Sequence, residues 1–135
     1  MPRFFHREEI RFTAAHRYEQ ARFSDEENAL TFGPCYNPDG HGHDYRLVAE
    51  VELRDAGDRA SIHALQEALW QIHELVDHRH LNHHLPRFQS AKVVPTTENL
   101  SQFLFDELKT RAPQTQLTWL RLYERPDLYS ELRTP

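Results

Sequence analysis

The chain has 135 residues, enough for one domain with its own hydrophobic core. A formal charge of −5 argues against broad nucleic-acid binding, which needs a basic face, although local arginines can still hold an anionic small molecule. No apolar run approaches the ~18 residues of a membrane helix, and the start MPRFFHREEIRF lacks the apolar run and cleavage site of a signal peptide. The single cysteine cannot make an intrachain disulfide, so a reducing cytoplasm is the expected setting. The ten histidines are the unusual feature, because imidazole is the commonest metal ligand.

In chain order, residues 8–16 (EEIRFTAAH) read as a strand with Ile10, Phe12, Ala14 and His16 on one face. Residues 17–40 read as a loop, with turn chemistry in Phe32-Gly33-Pro34 and Asn37-Pro38-Asp39-Gly40. Residues 43–54 alternate as a second strand, with His43, Tyr45, Leu47, Ala49, Val51 and Leu53 facing one way. After a break at Asp55-Ala56-Gly57-Asp58, helical spacing of Ile62, Leu65, Leu69, Ile72 and Val76 predicts a helix from Ser61 to Val76. Residues 77–95 read as an ordered loop. Thr96 or Thr97 caps a second helix carrying Leu100, Phe103, Leu104 and Leu108, which stops at Ala112-Pro113. Residues 116–124 form a third strand and Leu128–Arg133 a short fourth. The order β-β-α-α-β-β predicts a single α+β domain over 1–135, with both helices on one face of an antiparallel sheet.

The chemistry concentrates in residues 35–45, CYNPDGHGHDY. His41 and His43 stand at i and i+2, so they project to the same side if the second strand begins at His41. Gly42 leaves the opposite side clear for another backbone or a ligand. His16 ends the first strand on the parity of its apolar residues, and the 24-residue connection can return to the start of the second. Three neutral imidazoles with a fourth position open is the arrangement of a catalytic zinc. The alternative is a histidine pair that hydrogen-bonds locally and binds nothing.

Cys35 is either a small buried hydrophobe or a base whose thiolate a nearby zinc cation would favour. Its Gly-Pro-Cys-Tyr-Asn-Pro context favours the base. Asp77-His78 offers a carboxylate–imidazole relay. His80, His83 and His84 crowd the same segment and read as solvated rather than as a second metal site. Glu124 ends the strand TWLRLYE on the parity of Leu120 and Leu122; it is either salt-bridged or accepts from a ligand's N–H donors.

These motifs together resemble the 6-pyruvoyl-tetrahydropterin synthase and 6-carboxy-tetrahydropterin synthase family over nearly the whole chain. FTAAHRY, CYNPDGHGHDY, VDHRHLN, VVPTTENLSQFLFDEL and LYE occur in the family's order and spacing. The resemblance implies Zn2+ on His16, His41 and His43, with Cys35 as the proton-abstracting base and Asp77 and His78 as its relay. It implies that Glu124 anchors the pterin ring and that Thr97 and Glu98 line the pterin pocket. The implied fold is the tunnelling fold (T-fold), whose four-stranded sheets join around a threefold barrel. Two trimers then stack into a homohexamer with active sites at subunit contacts, and no nucleic acid or membrane is a partner.

The implied reaction converts 7,8-dihydroneopterin triphosphate to 6-pyruvoyl-tetrahydropterin with loss of triphosphate. The queuosine branch instead makes the 6-carboxy product and releases acetaldehyde. Five residues separate Cys35 from His41, matching the pyruvoyl-forming branch, whereas queuosine-pathway enzymes commonly have three. The scarcity of lysine beside arginine looks bacterial, where the carboxy product is the more frequent need. Spacing touches the site and composition does not, so the pyruvoyl product is the expectation. No glycine-rich nucleotide fingerprint occurs, in keeping with an internal redox step that needs no nicotinamide or flavin. In one departure, Asp58-Arg59-Ala60-Ser61-Ile62 stands where the family usually carries Gly-Met-Val-x-Asp/Asn. Two rivals are a zinc-stabilised barrel protein that binds a pterin or purine without turnover, and a zinc lyase or hydrolase acting on another heterocycle. The first would lack the base or the relay, and both are present.

Overall fold

The computed structural model describes residues 1–135. The first strand, β1 (Phe4–His16), starts earlier than residue 8 because Phe4 to Arg7 pair with Leu53 to Glu50 of the next strand. Its inner face buries Phe12, Ala14 and His16, the parity expected from the sequence.

The segment 17–40 is not all loop. It contains α1 (Asp25–Phe32), followed by a 3-10 turn over Gly33–Tyr36. A capping box starts α1: the Glu27 backbone N–H donates to Ser24 Oγ at 3.1 Å, and the Ser24 backbone N–H donates to Glu27 Oε1 at 3.0 Å. Asp25, Glu26 and Glu27 in the first turn also complement the helix dipole. Only Asn28 of this helix is buried, so it carries no apolar stripe that periodicity could detect.

The strand β2 (His41–Leu53) begins at His41 and pairs antiparallel with β1 along its full length, from Phe4 opposite Leu53 to His16 opposite His41. The helix α2 (Arg59–Val76) begins two residues before Ser61. Asp58 caps it, accepting from the Ser61 backbone N–H at 3.1 Å and from Ser61 Oγ at 2.8 Å, while Arg54 Nη2 donates to its carboxylate at 2.9 Å. The segment that departs from the family pattern is therefore a helix cap. The buried face of α2 runs through Ala64, Leu65, Ala68, Leu69, Ile72 and Val76, leaving Ile62 half-buried at its margin.

The expected loop 77–95 holds three short elements: β3 (Arg79–His80), α3 (Leu81–His84) and α4 (Pro86–Gln89). Leu81, Leu85 and Phe88 anchor it in the core, and Pro86 interrupts what would otherwise be one helical stripe. The helix α5 (Thr97–Arg111) is capped by Thr96, whose Oγ1 accepts from the Asn99 backbone N–H at 3.1 Å, and it ends before Ala112-Pro113. The last strands, β4 (Gln116–Arg125) and β5 (Leu128–Arg133), match expectation within a residue.

The sheet order is β3-β1-β2-β4-β5, antiparallel except where β3 joins β1 in parallel at Ala14 and Ala15. A fifth, two-residue strand thus extends the four expected, and α2 and α5 cover one face. A bulge between Glu50 and Val51 lets both Leu117 and Leu120 face inward, and it sets Leu122 and Glu124 on the inner face beyond them. The opposite face carries arginines laid over aromatic rings. Arg7 lies 4.2 Å from Trp119, Arg46 4.0 Å from Tyr123 and Arg121 4.1 Å from Tyr129.

Candidate active site

Strand register builds the centre. Directly opposed residues of an antiparallel pair share a face, so the pairing of His16 with His41 brings their rings together, and His43 follows two residues along. His16 Nε2 lies 3.3 Å from His41 Nε2, and one ligand atom from each of His16, His41 and His43 falls within 4.8 Å of the others. His16 is wholly buried (0 % exposed), while the other two are half-buried and open the centre to one side.

The three histidines can hold a metal ion. Burial, reinforced by the neighbouring rings of His43, His41 and His80, pushes the His16 pKa down to about 3. Burial also lowers that of His43. Ligands must be neutral imidazoles, so this donor set fits a cation. Of the other three, His83 and His84 are exposed as expected, but His80 is not solvated: it stacks on His83 at 3.9 Å with parallel rings, and both its ring nitrogens are buried without a hydrogen-bond partner.

Folding stability should follow the same titration. The unfolded chain takes up a proton on this histidine near its ordinary value of 6.5, whereas the folded His16 stays neutral to about 3. Between those values the unfolded state binds more protons, so stability present above 6.5 is lost progressively as pH falls. The melting temperature of metal-free protein is expected to drop between pH 7 and about 5, and His16→Phe should flatten that drop. An unchanged slope in the variant would contradict it.

The close approach lies at Gly40, not at Gly42. Gly42 has ordinary clearance, with Ala14 O 3.6 Å from where a Cβ would stand. At Gly40 the backbone has φ +72°, and a Cβ would meet His16 O at 2.5 Å and His80 Nε2 at 2.8 Å. Gly40→Ala is expected to cost roughly 1–3 kcal/mol through the left-handed backbone and the clash. It should also weaken metal uptake by shifting His41 off His16. Denaturant midpoints and zinc stoichiometry check both effects.

Cys35 sits in the 3-10 turn with Sγ 4.0 Å from His41 Nε2. Burial and the Glu124 carboxylate push its thiol pKa up, so a thiolate there requires a nearby cation. Glu124 is 7 % exposed, and its Oε1 lies 3.6 Å from His16 Nε2 and 3.7 Å from His43 Nε2. The tyrosine Tyr18 donates from its hydroxyl to the same oxygen at 3.2 Å, with its ring tilted against His16 at 4.6 Å. Sequence reasoning did not single out Tyr18, although it lies two residues beyond His16.

The structure does not bring Asp77 and His78 to this thiol. Asp77 Oδ1 accepts from the Thr13 backbone N–H at 2.9 Å at the edge of β1, and its Oδ2 lies 2.7 Å from His78 Nδ1. Those contacts hold the Asp77 pKa below the usual carboxylate range. The relay pair is formed, but the His78 side chain is 81 % exposed and no hydrogen bond joins it to Cys35 within the chain. His78 adopts φ +58°, with its N–H donating to Thr13 O at 2.6 Å. His73, also unremarked in the sequence, stacks on Trp70 and lies 3.6 Å from Asp77 Oδ2.

Thr97 is buried at the start of α5, where its carbonyl accepts from Ser130 Oγ at 3.0 Å, and Glu98 is exposed beside it. Neither hydrogen-bonds to the histidines; burial and the Glu124 carboxylate raise the Tyr18 pKa, and the charge of Glu98 adds to that. An open cleft of about 650 Å³ lies elsewhere: Arg11, Thr13, Asp44, Arg46, Asp77 and Arg125 line it, and none of the three histidines does.

A family model described as 6-pyruvoyl tetrahydropterin synthase matches residues 6–135. The 6-pyruvoyl tetrahydrobiopterin synthase of Pongo abelii is 39% identical over 122 residues, which cover 85% of this chain and 81% of that protein. That of Homo sapiens is 38% identical over 122 residues, with the same coverage. The solved structure of the Caenorhabditis elegans 6-pyruvoyl tetrahydropterin synthase matches 100% of this chain and 98% of its own, with a TM-score of 0.89 at 28% identity. The sheet with its helices on one side is thus the tunnelling fold, and the chain belongs to the 6-pyruvoyl tetrahydropterin synthase family.

Proposed function

We propose that the chain is a zinc-dependent lyase that converts 7,8-dihydroneopterin triphosphate to 6-pyruvoyl-tetrahydropterin with loss of triphosphate. The observation that carries this reading is the cluster of His16, His41 and His43 with Cys35 Sγ 4.0 Å from His41 Nε2, in a chain of this family. His16, His41 and His43 would hold the zinc, which when bound supplies Lewis acidity toward the hydroxyls of the substrate's side chain. Cys35 at the rim takes a proton from a side-chain carbon. Glu124 accepts from a substrate donor, and Tyr18 holds that carboxylate in place. Thr97 and Glu98 line the pterin end. Two hydrogens leave the side chain and reduce the pterin ring, so the redox change stays inside the substrate. Triphosphate departs from the terminal carbon, which becomes a methyl group.

His78 passes protons to and from the thiol, with Asp77 gripping Nδ1 so that Nε2 stays free. Since pair and thiol do not meet within one chain, the relay serves the partner subunit's Cys35 in a homohexamer of two stacked trimers. The edge of β1 supports that assembly: Asp77, His78 and β3 cover it only from Thr13 to Ala15, and the stretch before Thr13 is open for pairing. Light scattering is expected to give a hexamer, and a stable monomer at micromolar concentration would contradict the shared site. No helix is long and apolar enough to cross a membrane, and the free thiol of Cys35 suits a reducing cytoplasm.

The product distinguishes this reading from its neighbour. Zinc-loaded protein given dihydroneopterin triphosphate should yield the pyruvoyl compound and triphosphate by mass. Acetaldehyde with the 6-carboxy compound would move the chain to the queuosine branch.

A further inference from the structure

Tyr45 stands two residues beyond His43 on the inner face of β2 and has no part in the chemistry above. It is 1 % exposed, with its ring stacked on Phe12 at 4.9 Å and 11°. The register sets Tyr45 opposite Phe12, and Ala14 lies between Phe12 and His16 on the same face. The small Ala14 side chain leaves room for the phenol tip to run toward His16. The Tyr45 hydroxyl reaches His16 Nδ1 at 2.8 Å, on the side of the ring away from His41 and His43.

We propose that Tyr45 is the positioning residue of the metal centre, its hydroxyl fixing the ring plane and tautomer of His16. A neutral imidazole carries one ring proton. For Nε2 to offer its lone pair to a cation, that proton must sit on Nδ1, where it donates to Tyr45 Oη. In the metal-free centre the other tautomer is also accommodated: a proton on Nε2 would face His41 Nε2, 3.3 Å away, and the tyrosine hydroxyl would then donate to Nδ1. A hydroxyl serves both states because it can donate or accept by rotating about its C–O bond, whereas a carboxylate or carbonyl accepts only. Tyr45 therefore keeps a buried ring nitrogen satisfied before and after metal uptake. Glu124 does not duplicate it, since its Oε1 lies on the Nε2 side of the ring, 3.6 Å away, rather than at Nδ1.

This inference rests on the zinc reading above, and its test separates the two. Tyr45→Phe keeps the ring and its stacking on Phe12 but leaves Nδ1 without a partner. Removing such an outer partner typically costs 10–100-fold in metal affinity, and chelator competition should show a loss of about that size with the cooperative melt retained. In the zinc-loaded wild type, nitrogen NMR of labelled histidine should find His16 as the Nδ1–H tautomer with a hydrogen-bonded proton. That measurement needs no variant to fold. If wild-type protein takes up no zinc, or His16→Ala takes it up unchanged, the metal reading fails. If zinc binds through His16 but Tyr45→Phe holds it as tightly, or His16 is the Nε2–H tautomer when loaded, the positioning role alone is overturned.

Discussion

Cys35→Ala is expected to keep its zinc and its affinity for pterin while losing turnover by about 10²–10⁴-fold, the usual size of a general-base contribution. The asymmetry follows from position. Sγ lies 4.0 Å from His41 Nε2, near enough to work on a substrate held at the centre. The three imidazoles could hold a metal ion without it, and three protein ligands are what an open catalytic zinc site takes. Glu124→Ala should behave differently. Its carboxylate is buried among Tyr18, His16 and His43, so a substrate donor paired with it is desolvated. Removing one partner of such a contact costs roughly 2–5 kcal/mol, and binding should weaken along with catalysis. Titration of both variants with a non-reactive pterin such as biopterin checks the pair. Lost pterin affinity in Cys35→Ala with normal affinity in Glu124→Ala would reverse the two roles. Full turnover in Cys35→Ala would make the thiol mere packing.

His41→Ala is expected to abolish stoichiometric zinc and, with it, all measurable turnover. His41 faces His16 directly across the β1–β2 ladder, and its removal leaves at most two imidazoles on the face. Two neutral ligands do not make a zinc site of the catalytic kind, which takes three from the protein. The fold should survive, because His41 is half-buried at the end of β2 and outside the apolar core. Metal analysis on the folded variant decides the matter: one zinc per chain would show that His41 is no ligand.

The clustering of the three histidines was legible because strand parity and register are periodic. His16 shares the face of Phe12 and Ala14, and His41 and His43 share that of Tyr45, so pairing the strands leaves the rings little freedom. The helices α2 and α5 were legible through their apolar stripes, and α5 also through its threonine cap, whereas the Asp58 cap of α2 read only as part of a break. The helix α1 was not, because it buries only Asn28; its one local signal was the Ser24–Glu27 capping box. Leu81, Leu85 and Phe88 stand at helical spacing, but Pro86 divides them between two short turns. The two residues of β3 are too few for any period and depend on the left-handed turn at His78.

Alternation reports which face a side chain takes, not which atoms meet. The Tyr45 hydroxyl on His16, the Tyr18 hydroxyl on Glu124 and the approach of His73 to Asp77 all lay beyond it. Adjacency of Asp77 and His78 in sequence likewise predicted their mutual bond, but not their separation from Cys35 within the chain.

The central claim is that this histidine centre carries out the conversion of dihydroneopterin triphosphate. The most direct measurement strips the protein with a chelator, restores zinc in steps and follows substrate consumption at each step. Activity should be absent in the stripped protein, rise in proportion to zinc and level off at one ion per chain, with triphosphate released in step. Equal turnover with and without metal, or no turnover at full zinc occupancy, would contradict the account.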